Sequence, residues 1–163
     1  MEELVVLREE LLQRIDLVTD EQLNQKPEKN KWSIAQVVEH LYLTERGMSI
    51  AIKKALETDD HPTTLKSLEK VKNRTFFTVA PPFVSPNEVL FNKDELKRLL
   101  RKSRKSLFDN LIGIDEITLG NKSITHPVLG QLNLKQAIEF ILVHEMRHLE
   151  QIQEILTILQ RTN

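Results

Sequence analysis

Residues 137–156 read AIEFILVHEMRHLEQIQEIL, and this stretch decides the fold. Its apolar residues recur every three or four positions, which is the spacing of one face of an α-helix. They are Ala137, Ile138, Ile141, Leu142, Leu149, Ile152, Ile155 and Leu156. Asn133 precedes the stretch as a helix N-cap, and Gln136 follows it three residues later. The sequence therefore predicts a long amphipathic helix that ends near Arg161.

The same spacing occurs in three other segments of the chain. It predicts helices over about residues 2–19, 33–56 and 92–112. The second of these begins with Ser33 and has Gln36 three residues later, the pattern of a capping box. Four long amphipathic helices favour an all-α fold, a four-helix bundle with long connections between helices 2 and 3 and between helices 3 and 4.

The connecting segments contain helix-breaking residues. A short helix is predicted at about 63–73, whereas the prolines of segment 75–93 exclude a regular helix there. Segment 117–132 contains two glycines and a proline and shows no alternation of apolar and polar residues. We therefore expect this segment to be irregular and to form no strand.

Length and composition are those of an ordinary globular protein. The 163 residues are most simply one domain, 1–163, and a net charge of -1 gives no overall attraction to nucleic acid or to an anionic membrane. Cysteine is absent, so a reactive thiol would have to arrive with a substrate. The N-terminal helix is acidic, with no apolar stretch typical of a signal peptide or a membrane span, and we expect a cytoplasmic location.

Residues 144–148, HEMRH, match the H-E-x-x-H motif that zinc metalloproteases carry on a helix. His144 and His148 point the same way, because residues four apart differ by roughly 40° around a helix. However, no histidine follows His148, and Glu154 points elsewhere on the same helix, so the downstream third ligand of such proteases is missing. No edge strand is evident that could pair with a peptide. A protease is therefore not expected.

His40 is the better third ligand. It borders the apolar stripe of the second predicted helix, one turn after Val37. In a bundle, His40 could meet His144 and His148 around an interior metal ion, leaving positions open for water or substrate. Neutral imidazole suits zinc, nickel, iron or copper, so the ligands alone do not choose the metal.

Three motifs together resemble the DinB-like (damage-inducible) four-helix bundle family over about residues 30–155. The residues that carry the resemblance are Trp32, Ser33 and His40, then His126, Pro127 and Gly130, then His144, His148, Gln151 and Ile152. The resemblance implies a divalent metal ion, often zinc or nickel, held by His40, His144 and His148. It also implies frequent homodimers, and relatives include thiol-dependent transferases and isomerases that act on small electrophiles.

Two functional hypotheses follow. The first is a metal-dependent enzyme that activates a low-molecular-weight thiol, as an S-transferase, or water, as a hydrolase, against a small molecule. The resemblance narrowly favours the transferase. The second is a non-catalytic metal-binding or stress-associated bundle protein.

Three residues near the proposed metal ligands have two interpretations each. Glu145 could act as a general base, or it could be a surface carboxylate or a partner of a ligand, since it lies roughly 80° from the mean direction of the two histidines. Gln151 could orient a ligand or a substrate, or could simply pack on the helix face. His126 could border the site, although an exposed position in a turn is favoured.

Other features have a structural interpretation first. A basic run at 97–107 could bind nucleic acid, but a solvated helix face is favoured; it contains Lys97, Arg98, Arg101, Lys102, Arg104 and Lys105. An aromatic set could form a lid or a dimer contact, but covering one end of the bundle is slightly favoured; it comprises Phe76, Phe77, Phe83 and Phe91. Trp32 is expected to close the entrance of the second helix, and His61 to lie in a solvated turn.

Overall fold

A computed structural model describes residues 1–73 and 79–162 of the chain. Its elements follow one another as α1 (Glu2–Asp16), α2 (Asp20–Asn24), α3 (Ile34–Leu56), α4 (Glu69–Lys72), a 3₁₀ turn (Pro82–Val84), α5 (Lys93–Leu111), α6 (Glu116–Asn121), β1 (Ser123–His126), β2 (Gly130–Asn133) and α7 (Leu134–Thr162). The long helices α1, α3, α5 and α7 pack together as a four-helix bundle, in which α3 contacts both α5 and α7. The expected fold class is confirmed.

Side-chain caps begin the two helices that carry the histidines. The Ser33 hydroxyl accepts a hydrogen bond from the Gln36 backbone N–H at 3.2 Å, and Gln36 Oε1 accepts the Ser33 N–H at 3.1 Å. Asn133 Oδ1 accepts the Gln136 N–H at 2.9 Å at the start of α7. These contacts satisfy amide groups that a helix otherwise leaves unpaired. Both predicted caps are therefore present.

Two predicted helices are shorter in the structure. The first ends at Asp16 rather than near residue 19, because Thr19 and Gln22 form a capping box that begins the separate helix α2. The helix predicted at 63–73 is confined to Glu69–Lys72.

Segment 117–132 is more regular than predicted. It contains α6 and an antiparallel hairpin, in which Ile124 of β1 faces Leu132 of β2. Both side chains are buried. Gly130, the first residue of β2, has a positive φ of 74°, which glycine adopts without strain. The expectation that no strand forms here was wrong: strands of four residues give too few alternating positions for the pattern to be visible in the sequence.

Among the described residues, the core consists of two apolar clusters at opposite ends of the bundle. One contains Leu11, Ile15, Val37, Leu41, Leu100 and Ile152, and the other contains Leu4, Met48, Ile52, Leu107, Leu134 and Ile141. Between the two clusters, each long helix carries one buried charged residue. These four residues, which we call the ionic layer, are Arg8, Glu45, Arg104 and Glu145.

The ionic layer is buried and fully paired. Arg8 donates to Glu145 Oε1 at 2.8 Å and to Glu45 Oε2 at 2.9 Å, and Arg104 donates to both carboxylates as well. Burial lowers the pKa of Arg8, but Glu145 and Glu45 more than offset this, so its pKa is raised and it stays charged. Arg104 is only 6% exposed. The favoured solvated face of α5 therefore does not include Arg104.

Within the described residues, no helix combines the length and the apolar composition that crossing a bilayer requires.

Candidate metal centre

The structure brings His40, His144 and His148 together inside the bundle. His40 comes from α3, and the other two lie one turn apart on α7. The Nε2 atom of His144 is 3.2 Å from the Nε2 atom of His40 and 3.2 Å from that of His148. One ring nitrogen from each residue lies within 4.8 Å of the other two. Three nitrogen donors thus face one point.

A backbone carbonyl orients His40. Its Nδ1 lies 2.7 Å from the carbonyl oxygen of Val84, in the 3₁₀ turn. Because a carbonyl can only accept, Nδ1 carries the proton and Nε2 keeps its lone pair. That lone pair is directed toward the other two rings. Histidines that bind metals commonly hold their second nitrogen in this way.

An amide orients His148. Its Nδ1 lies 2.7 Å from Oε1 of Gln151, three residues further along α7. This contact assigns the proton to Nδ1 and leaves Nε2 for the centre. Of the two interpretations considered for Gln151, the geometry matches the one in which it orients a ligand.

Aromatic side chains surround the three rings. Trp32 packs on His40 with ring centroids 5.1 Å apart, and Phe140 stacks on His144 at 5.2 Å. His126 contacts Phe140 edge-on, with ring centroids 4.4 Å apart, and is only 8% exposed. The favoured exposed position for His126 was therefore wrong. Trp32 forms part of the wall of the site in addition to preceding the Ser33 cap.

The surroundings favour the neutral form of His40 and His144. Burial lowers the pKa of His144 well below its ordinary value, and the neighbouring His148 and His40 lower it further. Burial also lowers the pKa of His40, which the hydrogen bond to the Val84 carbonyl partly opposes. Neutral imidazole is the form that coordinates a metal ion.

Two of the three spacings between the nitrogens match those of a zinc centre. Zinc–nitrogen bonds of about 2.0–2.1 Å in tetrahedral geometry separate the nitrogens by about 3.3–3.4 Å. The two observed Nε2–Nε2 distances are 3.2 Å. A single proton on His144 Nε2 could serve one neighbouring ring but not both, whereas a divalent cation satisfies all three lone pairs.

Glu145 lies in the ionic layer and not among the three rings. Its carboxylate binds Arg8 and Arg104, and the residue is 1% exposed. The surface-carboxylate interpretation is therefore wrong. Both carboxylate oxygens accept hydrogen bonds from guanidinium groups, Oε1 from Arg8 and Oε2 from Arg8 and Arg104. The geometry thus does not support Glu145 as a general base.

Segment 79–92 lies against the start of α3 and borders the site through Val84. Phe83 is 67% exposed, and Phe91 packs at the edge of one core cluster. Phe76 and Phe77 lie outside the described residues. Phe91 therefore matches the favoured role of covering the bundle, whereas Phe83 projects toward solvent.

Several contributors to the site had no clear signal in the sequence. The Val84 carbonyl is a backbone group, which a residue pattern cannot identify. Glu39 and Asn87, which join α3 to segment 79–92, are distant in the chain. The ionic layer did have a signal: Arg8 and Glu145 occupy positions within apolar stripes, where a charged residue requires a buried partner.

Fold and site together define a class of protein, the four-helix bundle with a candidate three-histidine metal centre. The chain belongs to the DinB superfamily, whose family model matches residues 3–152. The resemblance to the DinB-like family is thereby confirmed.

Relatives agree with this assignment. The protein YuaE of Bacillus subtilis (strain 168) is 33% identical over 147 residues, which cover 85% of each chain. The four-helix bundle protein TT2238 superimposes with a TM-score of 0.65 at 18% identity, over 94% of both chains. YfiT from Bacillus subtilis, a probable metal-dependent hydrolase with an unusual four-helix bundle topology, gives a TM-score of 0.67 at 20% identity, over 94% of this chain and 82% of YfiT.

Proposed function

We propose that this protein is a metal-dependent enzyme in which His40, His144 and His148 hold a divalent cation, zinc or nickel, for reaction of a small-molecule substrate. The observation that carries the proposal is the pair of 3.2 Å distances between Nε2 atoms from two helices. Three ligands on one side of a cation leave coordination positions for a reactant, as in catalytic rather than structural sites.

The bound cation would lower the pKa of a thiol or a water in contact with it and thereby produce a nucleophile near neutral pH. The protein's own residues prepare the site for this. The Val84 carbonyl and Gln151 hold two rings in the tautomer that directs Nε2 inward. Trp32 and Phe140 shield the rings from bulk water, which strengthens electrostatic interactions there.

The nucleophile distinguishes two versions of the enzyme. Family resemblance favours a thiol co-substrate and therefore an S-transferase, and the absence of cysteine means that the thiol must be supplied from outside. The hydrolase version, in which water reacts, has the support of the structural neighbour YfiT, a probable metal-dependent hydrolase. A non-catalytic metal-binding protein is the alternative from another class.

Elemental analysis and thermal melting test the metal. We expect one equivalent of zinc or nickel per chain and a lower melting temperature after chelation, because a ligand present at a hundred times its Kd stabilises the folded state by about 2.7 kcal/mol. The variant His144→Ala should lose both the metal and the chelator effect. The exposed His61→Ala is the matched control and should retain both.

Turnover assays then separate the versions. Reaction of a small electrophile only when a low-molecular-weight thiol is added, lost in His144→Ala, supports the transferase. Thiol-independent cleavage of esters or amides supports the hydrolase. Bound metal without turnover in either assay contradicts the enzyme and favours the non-catalytic alternative.

A further inference from the structure

The residue next to His40 is a buried carboxylate that no step above uses. Glu39 is 5% exposed, and its two oxygens accept hydrogen bonds from one residue, Asn87. The backbone N–H of Asn87 donates at 2.9 Å, and its side-chain amide donates at 2.8 Å. A buried carboxylate is costly unless it is hydrogen-bonded, so this double contact holds Asn87 firmly against α3.

Asn87 is joined to Val84 by a short, stiff segment. The Val84 N–H donates to the Pro81 carbonyl at 3.0 Å, and the Ser85 hydroxyl donates to the carbonyl groups of Ala80 and Pro81 at 3.1 and 3.2 Å. Pro86 lies between Ser85 and Asn87, and proline fixes φ near −65°. A displacement of Asn87 would therefore move the Val84 carbonyl.

We propose that Glu39 and Asn87 form a clamp that holds the Val84 carbonyl against His40 and so positions the metal ligand. Glu39 and His40 are consecutive on α3, so one helix turn carries both the anchor of the segment and the ring that the segment orients. The clamp rests on the proposed function, because the position of His40 Nε2 has a purpose there only if a cation binds.

The other polar contacts of residues 87 and 88 are weaker. Gln36 Nε2 donates to Glu88 Oε1 at 3.2 Å, and Lys26 pairs with Glu88 at 2.9 Å. The carboxylate of Glu88 is 78% exposed, and such surface pairs contribute little. The buried contact between Glu39 and Asn87 is therefore the main polar anchor of residues 87 and 88.

The clamp is tested by first breaking the contact between Glu39 and Asn87 and then restoring it with a second substitution. The quantity measured is the affinity for Zn²⁺, by competition with a chromogenic chelator. Asn87→Asp places two carboxylates face to face and should raise the Kd about tenfold, at the lower end of the effect of residues that orient metal ligands. The added negative charge by itself would strengthen cation binding, so weaker binding would come from displacement of the segment. Exposed Asn30→Asp is the matched control, with an unchanged Kd.

The double variant Asn87→Asp with Glu39→Gln should return the Kd to within about threefold of the natural protein. In it, the glutamine amide donates to the new carboxylate, and the glutamine oxygen still accepts the backbone N–H of position 87. Melting of the metal-free proteins shows whether each variant is folded. If Asn87→Asp does not fold, Asn87→Ala takes its place. This variant removes only the side-chain hydrogen bond to Glu39 and should raise the Kd about threefold.

Each outcome decides a separate point. If the natural protein does not bind Zn²⁺ or Ni²⁺, the proposed function fails and the clamp with it. If the natural protein binds and the variants at position 87 bind equally well, the clamp alone is overturned. Failure of the folded double variant to recover affinity overturns it as well, because a clamp that acts through these hydrogen bonds must recover when they are restored.

Discussion

The three imidazoles of the centre are held in different ways. His40 donates to a backbone carbonyl, His148 donates to a side-chain amide, and His144 stacks on Phe140. Gln151 can be replaced without moving the backbone. It therefore gives the most direct test of how a hydrogen bond at the Nδ1 atom of a histidine affects metal binding at its Nε2 atom.

Gln151→Ala should weaken Zn²⁺ binding about tenfold, because His148 loses the acceptor that fixes its tautomer and ring orientation. Gln151→Glu should bind at least as tightly as the natural protein, since a carboxylate accepts the same proton more strongly. The exposed Gln160→Ala, on the same helix, is the control. Equal affinities for the variants at positions 151 and 160 would show that Gln151 only packs on the helix.

His126 makes stability depend on pH. Burial lowers its pKa, and its Nδ1 accepts the N–H groups of Val128 and Leu129 at 3.2 Å, which a protonated ring cannot do. The relevant pH window extends from about 6.5, the pKa of histidine in the unfolded chain, down to the lower pKa of His126 in the folded chain. Within this window the unfolded chain binds a proton at His126 that the folded chain does not. Stability should fall as pH decreases through this window.

Urea unfolding of metal-free protein at several pH values measures this effect. His126→Asn, whose side-chain oxygen can accept the same turn N–H groups, should flatten the slope by up to about 1.4 kcal/mol per pH unit. The other histidines should contribute almost equally to the natural protein and to the variant, because His126 is the smallest of the causes that lower the pKa of His144. An unchanged slope would mean that His126 does not titrate differently on folding.

At the scale of residues, the sequence predicted the side chains that form the site better than the backbone groups that contact them. His40, His144 and His148 could be brought together because helical spacing gives the direction of a side chain. The burial of His126 could not be predicted, because it follows from a hairpin that packs the ring on Phe140. The Val84 carbonyl depends on where a proline-rich segment crosses α3, which no local rule gives.

Among the elements, α3 and α7 determine the site, and their caps fix where each begins. Ser33 lies two turns before His40, so the cap and the ligand share one rigid helix. The cap was visible in the sequence because its residues are local and three apart. The hairpin β1–β2 was not, because it depends on packing of Ile124 and Leu132 rather than on propensity.

Ser33→Ala should lower the free energy of unfolding by about 1 kcal/mol, because the Gln36 N–H loses its acceptor in a buried position. Ser33→Thr keeps an acceptor and should remain close to the natural protein. Urea unfolding measures both variants. A loss of only about 0.3 kcal/mol or less in Ser33→Ala would show that the cap does not stabilise α3.

At the scale of the whole molecule, the ionic layer divides the core and takes one residue from each long helix. Arg8 and Arg104 each bind both Glu45 and Glu145, so all four helices are linked at one level. Such a layer gives little net stability over apolar residues, but any shift of one helix along another would break its pairs. We infer that it fixes the register of the bundle.

Arg104→Met should destabilise the protein by about 3–5 kcal/mol, because two buried carboxylates lose a partner. Lys105→Met, at the next and exposed position, removes only a surface pair with Asp109 and should cost less than about 0.5 kcal/mol. Replacing all four charged residues with apolar ones should recover most of the loss. Equal effects of the variants at 104 and 105 would contradict a buried layer.

The bundle as a whole could be predicted from four apolar stripes, whereas the pairing within the ionic layer could not. Its residues lie at positions 8, 45, 104 and 145, and their pairing requires the register of all four helices at once. Charged residues on amphipathic helices are ordinarily solvated, so the basic run of α5 was expected to face water. Arg104 differs from the other basic residues of this run in lying four residues after Leu100 and three before Leu107, which places it on their buried face of α5.

Anomalous diffraction from crystals grown with zinc measures the central feature most directly. We expect one strong peak about 2.0–2.1 Å from the Nε2 atoms of His40, His144 and His148. A peak bound elsewhere, or an empty centre in which the three rings turn away from one another at saturating zinc, would contradict the account.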